Sequence, residues 1–495
     1  MIMSFSWSGY QTDIFGEVLN TNNNVAIKAT AGSGKSTVLV EISKLLPVNS
    51  SSIFIAFNKS IVEELSERLP KKFEVSTLHS LGLNILRKNY GKGLSLNQAK
   101  TFKMAQKMIL SDDTITNHKE RNSRIFYVTK GYDYLRSTMT DIDDEEAVQE
   151  MLLRFNIDSS YGYHDLKKFK QIADKYNLSR KKGKEFLVDF ADMVYLAATL
   201  PRLRYPRYEN VLVDECQDLN LSQHIIIQKI KDKRKGRVIS VGDKHQQIYL
   251  FAGSDSASFE RFEDAPNTVS LPLSVTYRCP INVVLEAQKY NTEIIAAPNA
   301  EYGYVGEGDI DMVGEGDAIL CRNNSPLFEA YLELLSEGKK AYIVGKEIAE
   351  KFHTLIKPYR NSHVGALING LRTQLDQIHD NLLAKGIKKP LAHPVYQSFL
   401  DISRSLSLIA EMAPNMKQLD ARIDEIFCPS KNAVVLSSIH KSKGLEYDRV
   451  FLLRPDLLPN KFAKSSEELD QERNLMFVAI TRAKKQFFYI RKEDE

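Results

Sequence analysis

Short apolar runs alternate along this chain with longer stretches in which apolar residues recur at helical spacing. A first group of runs, each short enough for a buried strand, lies at residues 24–28, 53–57, 211–214, 238–242 and 268–271. A second group lies at residues 318–321, 341–345, 434–437, 450–453 and 487–490. Continuous apolar strands separated by helices are typical of parallel sheets whose two faces are covered by helices. The pattern therefore predicts an α/β fold with two α/β domains that meet near residue 275, since one compact sheet could not hold so many strands.

Two long stretches, residues 86–187 and 347–430, lack this alternation and have a mostly helical pattern. We predict that each is a mainly helical insertion in one of the α/β domains. The predicted first α/β domain then comprises residues 1–85 and 188–275, and the second comprises residues 276–346 and 431–495. The first insertion contains a basic run within residues 167–184, which either binds phosphates or forms a solvated helix face.

Composition narrows the class of protein and the compartment. The chain has 495 residues, of which 43% are hydrophobic and 26% charged, as in soluble globular proteins of several domains. No apolar run is long enough to span a membrane, and the start of the chain lacks the pattern of a signal peptide. The four cysteines are far apart, which argues against a zinc or iron–sulfur site and favours a reducing compartment. The net charge of +4 permits a nucleic-acid partner without requiring one.

A phosphate-binding loop stands between the first predicted strand and a predicted helix. Its glycines let backbone N–H groups surround phosphate oxygens, Lys35 reaches the β- and γ-phosphates, and the Ser36 hydroxyl can bind Mg²⁺. An alanine occupies the position where the general pattern has its first glycine. The predicted nucleotide-binding loop consists of Ala29, Thr30, Ala31, Gly32, Ser33, Gly34, Lys35 and Ser36.

Two further strands end in polar residues suited to phosphoryl transfer. Asp214 and Glu215 follow the strand at 211–214, where one carboxylate can hold Mg²⁺ and the next can polarise the attacking water. A solvated acidic turn is the alternative interpretation. Gln246 follows the strand at 238–242 and is a candidate sensor of the γ-phosphate. Nearby, Tyr249 and Phe251 either offer flat faces to bases or belong to the core.

Arg278 and Arg482 lie far from the loop in sequence. Cations delivered from outside a nucleotide-binding domain stabilise the charge that develops on a transferring phosphoryl group. If both arginines reach the γ-phosphate only when domains close, hydrolysis is coupled to domain motion. An arginine taken alone is more often a surface residue, so this hypothesis depends on the motifs around the two residues.

These motifs follow one another in an order that resembles the superfamily 1 DNA helicases of the UvrD/PcrA/Rep type, over residues 11 to about 490. The ordered set comprises Gln11, the phosphate-binding loop, and residues 56–59, 77–80, 214–218, 242–246, 277–278, 438–446 and 478–484. The resemblance implies two RecA-like P-loop NTPase domains with parallel sheets, each with a mainly helical insertion. It also implies an ATP- and Mg²⁺-dependent DNA helicase or translocase that moves on single-stranded DNA with 3′→5′ polarity.

The resemblance assigns roles around ATP to residues that match the family motifs. Lys35, Asp214, Glu215, Gln246, Arg278 and Arg482 resemble the catalytic set, with Ser36 and Asp214 as the magnesium ligands, Glu215 as the base and the arginines as fingers. Gln11 resembles the residue that reads adenine, and Tyr277 resembles the one that stacks on it. Thr37 lies beside the phosphate ligands, and Gly444 and Glu446 are similar to residues near the γ-phosphate and the ribose.

The resemblance also implies partners. Residues similar to those that contact single-stranded DNA in the family are Phe57, Asn58, Thr77, His79, Tyr249, Phe251 and His440. We therefore expect single-stranded DNA and single-strand/duplex junctions as substrates, and replication, repair or recombination proteins as partners. We further predict a monomer without a membrane partner, in the cytoplasm or nucleoid.

Several departures and alternatives accompany the resemblance. Ala252 stands where relatives usually have arginine, Thr276, Cys279 and Ser438 replace other usual residues, and the second insertion is shorter than in the larger relatives. A translocase that displaces proteins without unwinding would share every motif. A helicase–nuclease is less expected, because the last motif ends near residue 485. A nucleotide-gated binding module without turnover is disfavoured by the complete catalytic set.

Overall fold

A computed structural model describes residues 7–155, 157, 161–384, 387–463 and 465–491. The described residues form two compact units. The first unit lies within Met1–Ala29 and Gly34–Ser274, and the second lies within Thr30–Ser33 and Val275–Glu495. In the part of the chain so described, no helix combines the length and apolar character needed to cross a membrane.

The first unit is built on a six-stranded sheet in which all neighbouring strands are parallel. Its strands and a separate two-stranded pair are β1 (Asn24–Ala29), β2 (Ser52–Ile55), β3 (Phe73–Ser76), β4 (Leu94–Leu96), β5 (Phe186–Val188), β6 (Asn210–Val213), β7 (Arg237–Gly242) and β8 (Thr268–Leu273). The order in the large sheet is β3–β2–β6–β7–β1–β8, and β4 pairs with β5. Alternate residues of each strand enter different cores: Val25 and Ile27 pack on one face of the sheet, and Ala26 packs on the other.

The helices of the first unit fall into two groups. They are α1 (Gly9–Asn20), α2 (Lys35–Leu45), α3 (Lys59–Arg68), α4 (Leu78–Tyr90), α5 (Lys100–Leu110), α6 (His118–Thr138), α7 (Glu145–Arg154), α8 (Tyr163–Leu178), α9 (Phe190–Thr199), α10 (Leu221–Ile230) and α11 (Glu260–Glu263). The first insertion, α5–α8, has a core of its own, in which Tyr132 packs edge-on against Phe169 with ring centroids 5.1 Å apart. The other helices cover the two faces of the sheet.

The second unit repeats the plan with a different strand order. Its strands are β9 (Val275–Thr276), β10 (Ile295–Ala296), β11 (Tyr304–Glu307), β12 (Ala318–Cys321), β13 (Ala341–Ile343), β14 (Val434–Ser438), β15 (Tyr447–Leu453) and β16 (Ala483–Ile490). Six of them form a parallel sheet in the order β11–β16–β15–β12–β14–β13, and β9 pairs with β10.

The helices of the second unit pack against its sheet or against one another. They are α12 (Ile281–Ala287), α13 (Ser325–Ser336), α14 (Lys346–Ile356), α15 (Val364–Ala384), α16 (Pro394–Glu411), α17 (Met416–Ile426), α18 (Ile439–Ser442) and α19 (Ser466–Ile480). Phe352 and Leu406 of the second insertion, α14–α17, lie in the same cluster as Ile319 and Leu436 of the sheet. Within the part of the chain that the structure describes, buried residues of the second insertion therefore share the core of the sheet, whereas the first insertion has a core of its own.

The predicted α/β fold with parallel sheets is confirmed, and a strand lies at each apolar run. The pattern missed the short strands of the two-stranded pairs, β4, β5, β9 and β10, and it missed β3 and β11, each of which lies at one edge of its six-stranded sheet. Outer strands are covered on fewer sides, and their side chains need not be continuously apolar. Glu74 in β3 and Tyr304 in β11 are exposed, which removes the apolar run on which the prediction depended.

Candidate functional site

The sequence motifs of the first unit follow neighbouring strands of one sheet. The phosphate-binding loop follows β1, the acidic pair follows β6, and the segment with Gln246 follows β7, and these three strands are adjacent in the order β6–β7–β1. Ligands of open parallel sheets bind outside the carboxyl ends of the strands. The topology therefore gathers the predicted nucleotide-site residues of this unit at one sheet edge.

The loop leads directly into α2, which begins at Lys35. Gly34 has a φ of 85°, in the left-handed region that residues with a Cβ rarely adopt, and no side chain caps the helix N-terminus. The first N–H groups of a helix lack partners within the helix and form a site for anions. Gln11 lies close by, since a Cβ built at Gly34 would be 3.9 Å from its Nε2. Gln11 also completes the N-terminal cap of α1, where its Oε1 accepts the Ser8 N–H at 2.9 Å.

The acidic pair after β6 faces the start of α2. Ser36 Oγ donates to Asp214 Oδ2 at 2.8 Å, and Lys35 Nζ lies 3.0 Å from Glu215 Oε1. Glu215 has a φ of 50°, and a non-glycine residue in this region is strained and is often found at a functional site. The structure therefore brings four of the predicted catalytic and metal-binding residues together.

The Asp214 carboxyl group is almost fully buried. Burial and the neighbouring Glu215 carboxylate raise its pKa to about 6, although Lys35 and the Ser36 hydrogen bond act in the opposite direction. A hydroxyl and a carboxylate oxygen side by side are hard ligands of the kind that Mg²⁺ prefers, and Mg²⁺ commonly uses one or two carboxylates together with substrate phosphates. The donor set therefore fits Mg²⁺. The described residues contain no group of three or more His, Cys, Asp or Glu that could hold a metal ion.

A chain of side chains connects Glu215 to Gln246. Gln217 Nε2 donates to Glu215 Oε2 at 2.6 Å, and Gln217 Oε1 accepts the Asp243 N–H at 3.1 Å. Gln246 Nε2 in turn donates to Asp243 Oδ2 at 2.7 Å. Burial raises the pKa of Asp243, with Lys35 acting against it. Gln217 and Asp243 lie within two of the sequence motifs without a predicted role, and they hold the candidate base and the candidate sensor in one network.

A second group of predicted residues lies further along the same sheet. Phe57 and Asn58 follow β2, Thr77 and His79 follow β3, and β3–β2 continue the order beyond β6. Phe57 stacks on Tyr249 with ring centroids 5.8 Å apart and an angle of 17°. Phe57 and Phe251 keep 42% and 56% of their surface exposed, far more than core aromatics do.

Phe57 and Tyr249 border a cavity of about 520 Å³ within the first unit, the aromatic pocket, and Phe251 follows on the same loop as Tyr249. Its walls include Phe57, His79, Tyr134, Arg136, Phe190, Tyr249, Ala252 and Ser254. The Phe190 ring lies 6.1 Å from the His79 ring and is half exposed. Burial lowers the pKa of His79 and favours the neutral imidazole. Phe190 and Arg136 were missed by the sequence analysis. The only feature of the sequence that pointed to this wall was the pair of acidic residues Asp189 and Asp192 within an otherwise apolar stretch.

Asn58 and Thr77 have local roles in addition to the predicted one. Asn58 Oδ1 accepts the Ile61 N–H at 2.9 Å and caps α3, and Thr77 Oγ1 accepts the Ser80 N–H at 3.2 Å and caps α4. Such caps stabilise a helix by about 1 kcal/mol. A role in helix formation therefore accounts for both residue types without reference to DNA.

The remaining predicted residues lie in the second unit, around the start of β15 and the turn before β16. Arg278 Nε lies 2.7 Å from Glu446 Oε2, and Arg278 Nη1 donates to the Thr481 carbonyl at 3.2 Å. Arg482 is 1% exposed, and its Nη1 donates to the Leu445 carbonyl at 3.1 Å. The structure thus brings both arginines and Glu446 together within this unit.

Three more residues of this group differ in exposure and conformation. Tyr277 is half exposed, as a ring available for stacking would be. Gly444 has a φ of 87° in the turn that precedes Glu446. His440 lies in α18, where burial and, secondarily, Arg322 lower its pKa to about 3, so that its ring is neutral near pH 7.

Comparisons with known proteins cover both units. The family model described as UvrD/REP helicase N-terminal domain matches residues 12–267, and the one described as UvrD-like helicase C-terminal domain matches residues 342–494. F-box DNA helicase protein 1 of Schizosaccharomyces pombe is 24% identical in a match that covers 94% of this chain and 55% of that protein. ATP-dependent DNA helicase Rep of Buchnera aphidicola subsp. Acyrthosiphon pisum is 22% identical in a match that covers 95% of this chain and 92% of that protein.

ATP-dependent DNA helicase PcrA of Staphylococcus aureus (strain Mu50) is 26% identical over 56% of this chain and 39% of that protein. The chain therefore spans about half the length of the F-box protein and nearly all of Rep. The N-terminal family model by itself covers more than half of the 495 residues. On this evidence the chain belongs to the UvrD/REP helicase family.

Proposed function

We propose that the chain is an ATP- and Mg²⁺-dependent helicase that moves along single-stranded DNA and separates duplexes. The observation that carries the proposal is the convergence of Lys35, Ser36, Asp214 and Glu215 at adjoining strand ends. Relatives of the chain are named ATP-dependent DNA helicases, which agrees with a site built for phosphoryl transfer.

The chemistry of the site follows from its polar groups. The N–H groups at the start of α2 and the Lys35 ammonium bind phosphate oxygens of ATP. Ser36 and Asp214 would hold Mg²⁺, which neutralises phosphate charge when it is bound. Glu215 orients the attacking water and accepts its proton, and Gln246 binds beside the γ-phosphate through a neutral amide. The hydrogen-bond network through Gln217 and Asp243 holds the Glu215 carboxylate and the Gln246 amide in fixed positions relative to each other.

The residues of the second unit complete the proposed assignment. Arg278 and Arg482 supply positive charge to the transferring phosphoryl group, and Tyr277 stacks on the base that Gln11 recognises. Gly444 and Glu446 contact the nucleotide near the γ-phosphate and the ribose. Release of Arg278 from Glu446 is a necessary step in this assignment, because the two side chains form an ion pair.

The aromatic pocket of the first unit is the proposed site for single-stranded DNA. Bases stack on aromatic side chains without regard to sequence, because every base has a π-face. Phe57 and Phe251 provide exposed faces of this kind, Tyr249 stacks on Phe57, and neutral His79 adds a fourth ring. His440 is a proposed DNA contact of the second unit. The family resemblance supports 3′→5′ movement.

Unwinding of 3′-tailed, 5′-tailed and forked duplexes by the purified chain tests the proposal, with ATP hydrolysis measured in parallel. We expect single-stranded DNA to stimulate hydrolysis, and 3′-tailed and forked substrates to be unwound in preference to 5′-tailed ones. Stimulated hydrolysis with no unwinding of any substrate would favour a translocase that displaces bound proteins. Hydrolysis that does not respond to DNA would contradict the proposal.

A further inference from the structure

One helix of the first insertion contacts the loop that carries two of the aromatic residues. The aromatic loop, residues 249–253, includes Tyr249 and Phe251. The Tyr134 hydroxyl on α6 donates to the Phe251 carbonyl at 3.1 Å. The Tyr134 ring is itself fixed by stacking on Phe155, with centroids 3.8 Å apart and an angle of 9°. The donor that holds the loop is therefore set in one orientation.

A second contact brings the backbone of the aromatic loop against the same helix. Gly253 has a φ of 90°, and a Cβ at this position would lie 2.5 Å from Ser137 Oγ and 3.0 Å from Ser137 Cβ. Only a residue without a side chain allows this approach and this backbone conformation. Tyr134 and Ser137 are one turn apart on α6, and both lie against Phe251–Gly253.

The helix α6 is anchored to the opposite wall of the pocket by a buried ionic network. Arg136 lies between Tyr134 and Ser137 and is 1% exposed. Its Nη1 lies 2.8 Å from Asp189 Oδ1 and 2.7 Å from Asp192 Oδ1, at the N-terminus of α9, the helix that carries Phe190. Lys100 Nζ of α5 is 2.6 Å from the other oxygen of Asp192. The network thus ties the insertion to the wall that carries Phe190.

We propose that α6 of the first insertion sets the geometry of the aromatic pocket, and that Tyr134 is the positioning residue that holds the aromatic loop. Tyr134 and the Ser137–Gly253 contact fix where Tyr249 stands against Phe57, while Arg136 fixes the wall with Phe190. Movement of the insertion would then change the pocket directly. The expected effect on DNA binding rests on the proposed function, whereas the positioning of the aromatic loop by α6 does not.

Tyr134→Phe removes the hydroxyl donor and keeps the ring that stacks on Phe155. Tyr127→Phe is the matched control, because Tyr127 lies on the same helix and donates to the Gly162 carbonyl at 3.2 Å within the insertion. Hydrogen exchange without DNA measures the first consequence. We expect the amides of residues 250–254 to exchange about fivefold faster in Tyr134→Phe, the order that one lost neutral hydrogen bond produces, and not to change in Tyr127→Phe.

The second measurement is the dependence of ATP hydrolysis on oligonucleotide concentration. We expect the half-saturating concentration of a single-stranded oligonucleotide to rise about fivefold in Tyr134→Phe, with a much smaller change in the maximal rate. A lost packing contact would instead lower the maximal rate and alter Tyr127→Phe similarly. Gly253→Ala, which forces the loop away from Ser137, should raise the half-saturating concentration in the same way.

Unchanged exchange of the loop amides in both Tyr134→Phe and Gly253→Ala would overturn the positioning of the loop by α6. Faster exchange with an unchanged half-saturating concentration would overturn the part of the proposal that concerns DNA. If the wild-type chain binds no single-stranded DNA, the proposed function fails, and the exchange experiment by itself still decides whether α6 holds the loop.

Discussion

Lys35 Nζ lies 3.0 Å from Glu215 Oε1, and both side chains are largely buried. The ion pair joins the first residue of α2 to the second residue after β6, so each group neutralises the other at the sheet edge. Phosphates of a bound nucleotide would compete for the Lys35 ammonium. We expect this competition to free the Glu215 carboxylate for the attacking water, since Gln217 still holds its other oxygen.

Glu215→Gln should abolish most ATP hydrolysis and retain ATP binding. The amide cannot accept a proton at neutral pH, and loss of a general base typically costs about 10²- to 10⁴-fold in rate. In Glu215→Gln the Lys35 contact to phosphate is retained. Lys35→Ala, in contrast, should weaken nucleotide binding in addition to hydrolysis. Single-turnover hydrolysis and equilibrium binding of labelled ATP measure the two effects. Glu209→Gln, before the other end of β6, is the control, and hydrolysis at the wild-type rate in Glu215→Gln would refute the assignment of the base.

Phe251→Ala should weaken binding of single-stranded DNA by about 1–3 kcal/mol, the range for loss of one stacked base. The ring is 56% exposed, so its removal creates no large cavity in the core. Fluorescence anisotropy with a labelled oligonucleotide gives the affinity. Phe126→Ala is the matched control, since this phenylalanine on α6 is also exposed and lies outside the loop that carries Tyr249 and Phe251. Equal losses of affinity in the two variants would show that Phe251 does not stack on a base.

Arg136→Met should destabilise the first unit by about 3–5 kcal/mol, because it leaves the buried carboxylates of Asp189 and Asp192 without a main partner. Arg124→Met on the same helix removes more exposed ion pairs with Glu120 and Asp165, and should cost about 1 kcal/mol or less. Urea unfolding followed by circular dichroism gives both values. Similar midpoints for the two variants would mean that the buried network contributes little to stability.

His224 should make stability fall as pH decreases from about 6.5 to 4. Burial lowers the pKa of this histidine to about 4, with Asp255 opposing and Arg261 adding to the shift, and its Nε2 is 2.8 Å from Ser258 Oγ. In that pH range the unfolded chain binds a proton that the folded chain does not, which disfavours folding by up to about 3 kcal/mol. Above pH 6.5 both states are neutral and the effect vanishes.

The measurement is the free energy of unfolding of wild type and His224→Gln at a series of pH values. Subtraction removes the contribution of other groups, and the variant should lose less stability between pH 6.5 and 4 than the wild type. Parallel curves for the two proteins would show that His224 titrates normally in the folded state.

The sequence by itself determined the α/β class, the buried strands and the residues of the phosphate-binding loop. Central strands are apolar on both faces, and a glycine-rich loop between strand and helix has a local signature. These features depend on residues that are neighbours in the sequence, and they can therefore be predicted without knowledge of the tertiary contacts. Strands β3 and β11 were missed because their exposed residues interrupt the apolar run, and the strands of the two-stranded pairs were missed because each is only two or three residues long.

The tertiary structure decided which residues work together. Gln217 and Asp243 connect Glu215 to Gln246 only because β6 and β7 are neighbours in the sheet. Phe190 reaches His79, and Tyr134 reaches the aromatic loop, across sequence separations that no periodicity encodes. The Lys35–Glu215 ion pair is also a contact between segments that are distant in the sequence, because the strand order brings the ends of β1 and β6 to the same sheet edge. The residue types of each motif can be identified from the sequence, whereas contacts between distant segments follow from how the strands and helices pack.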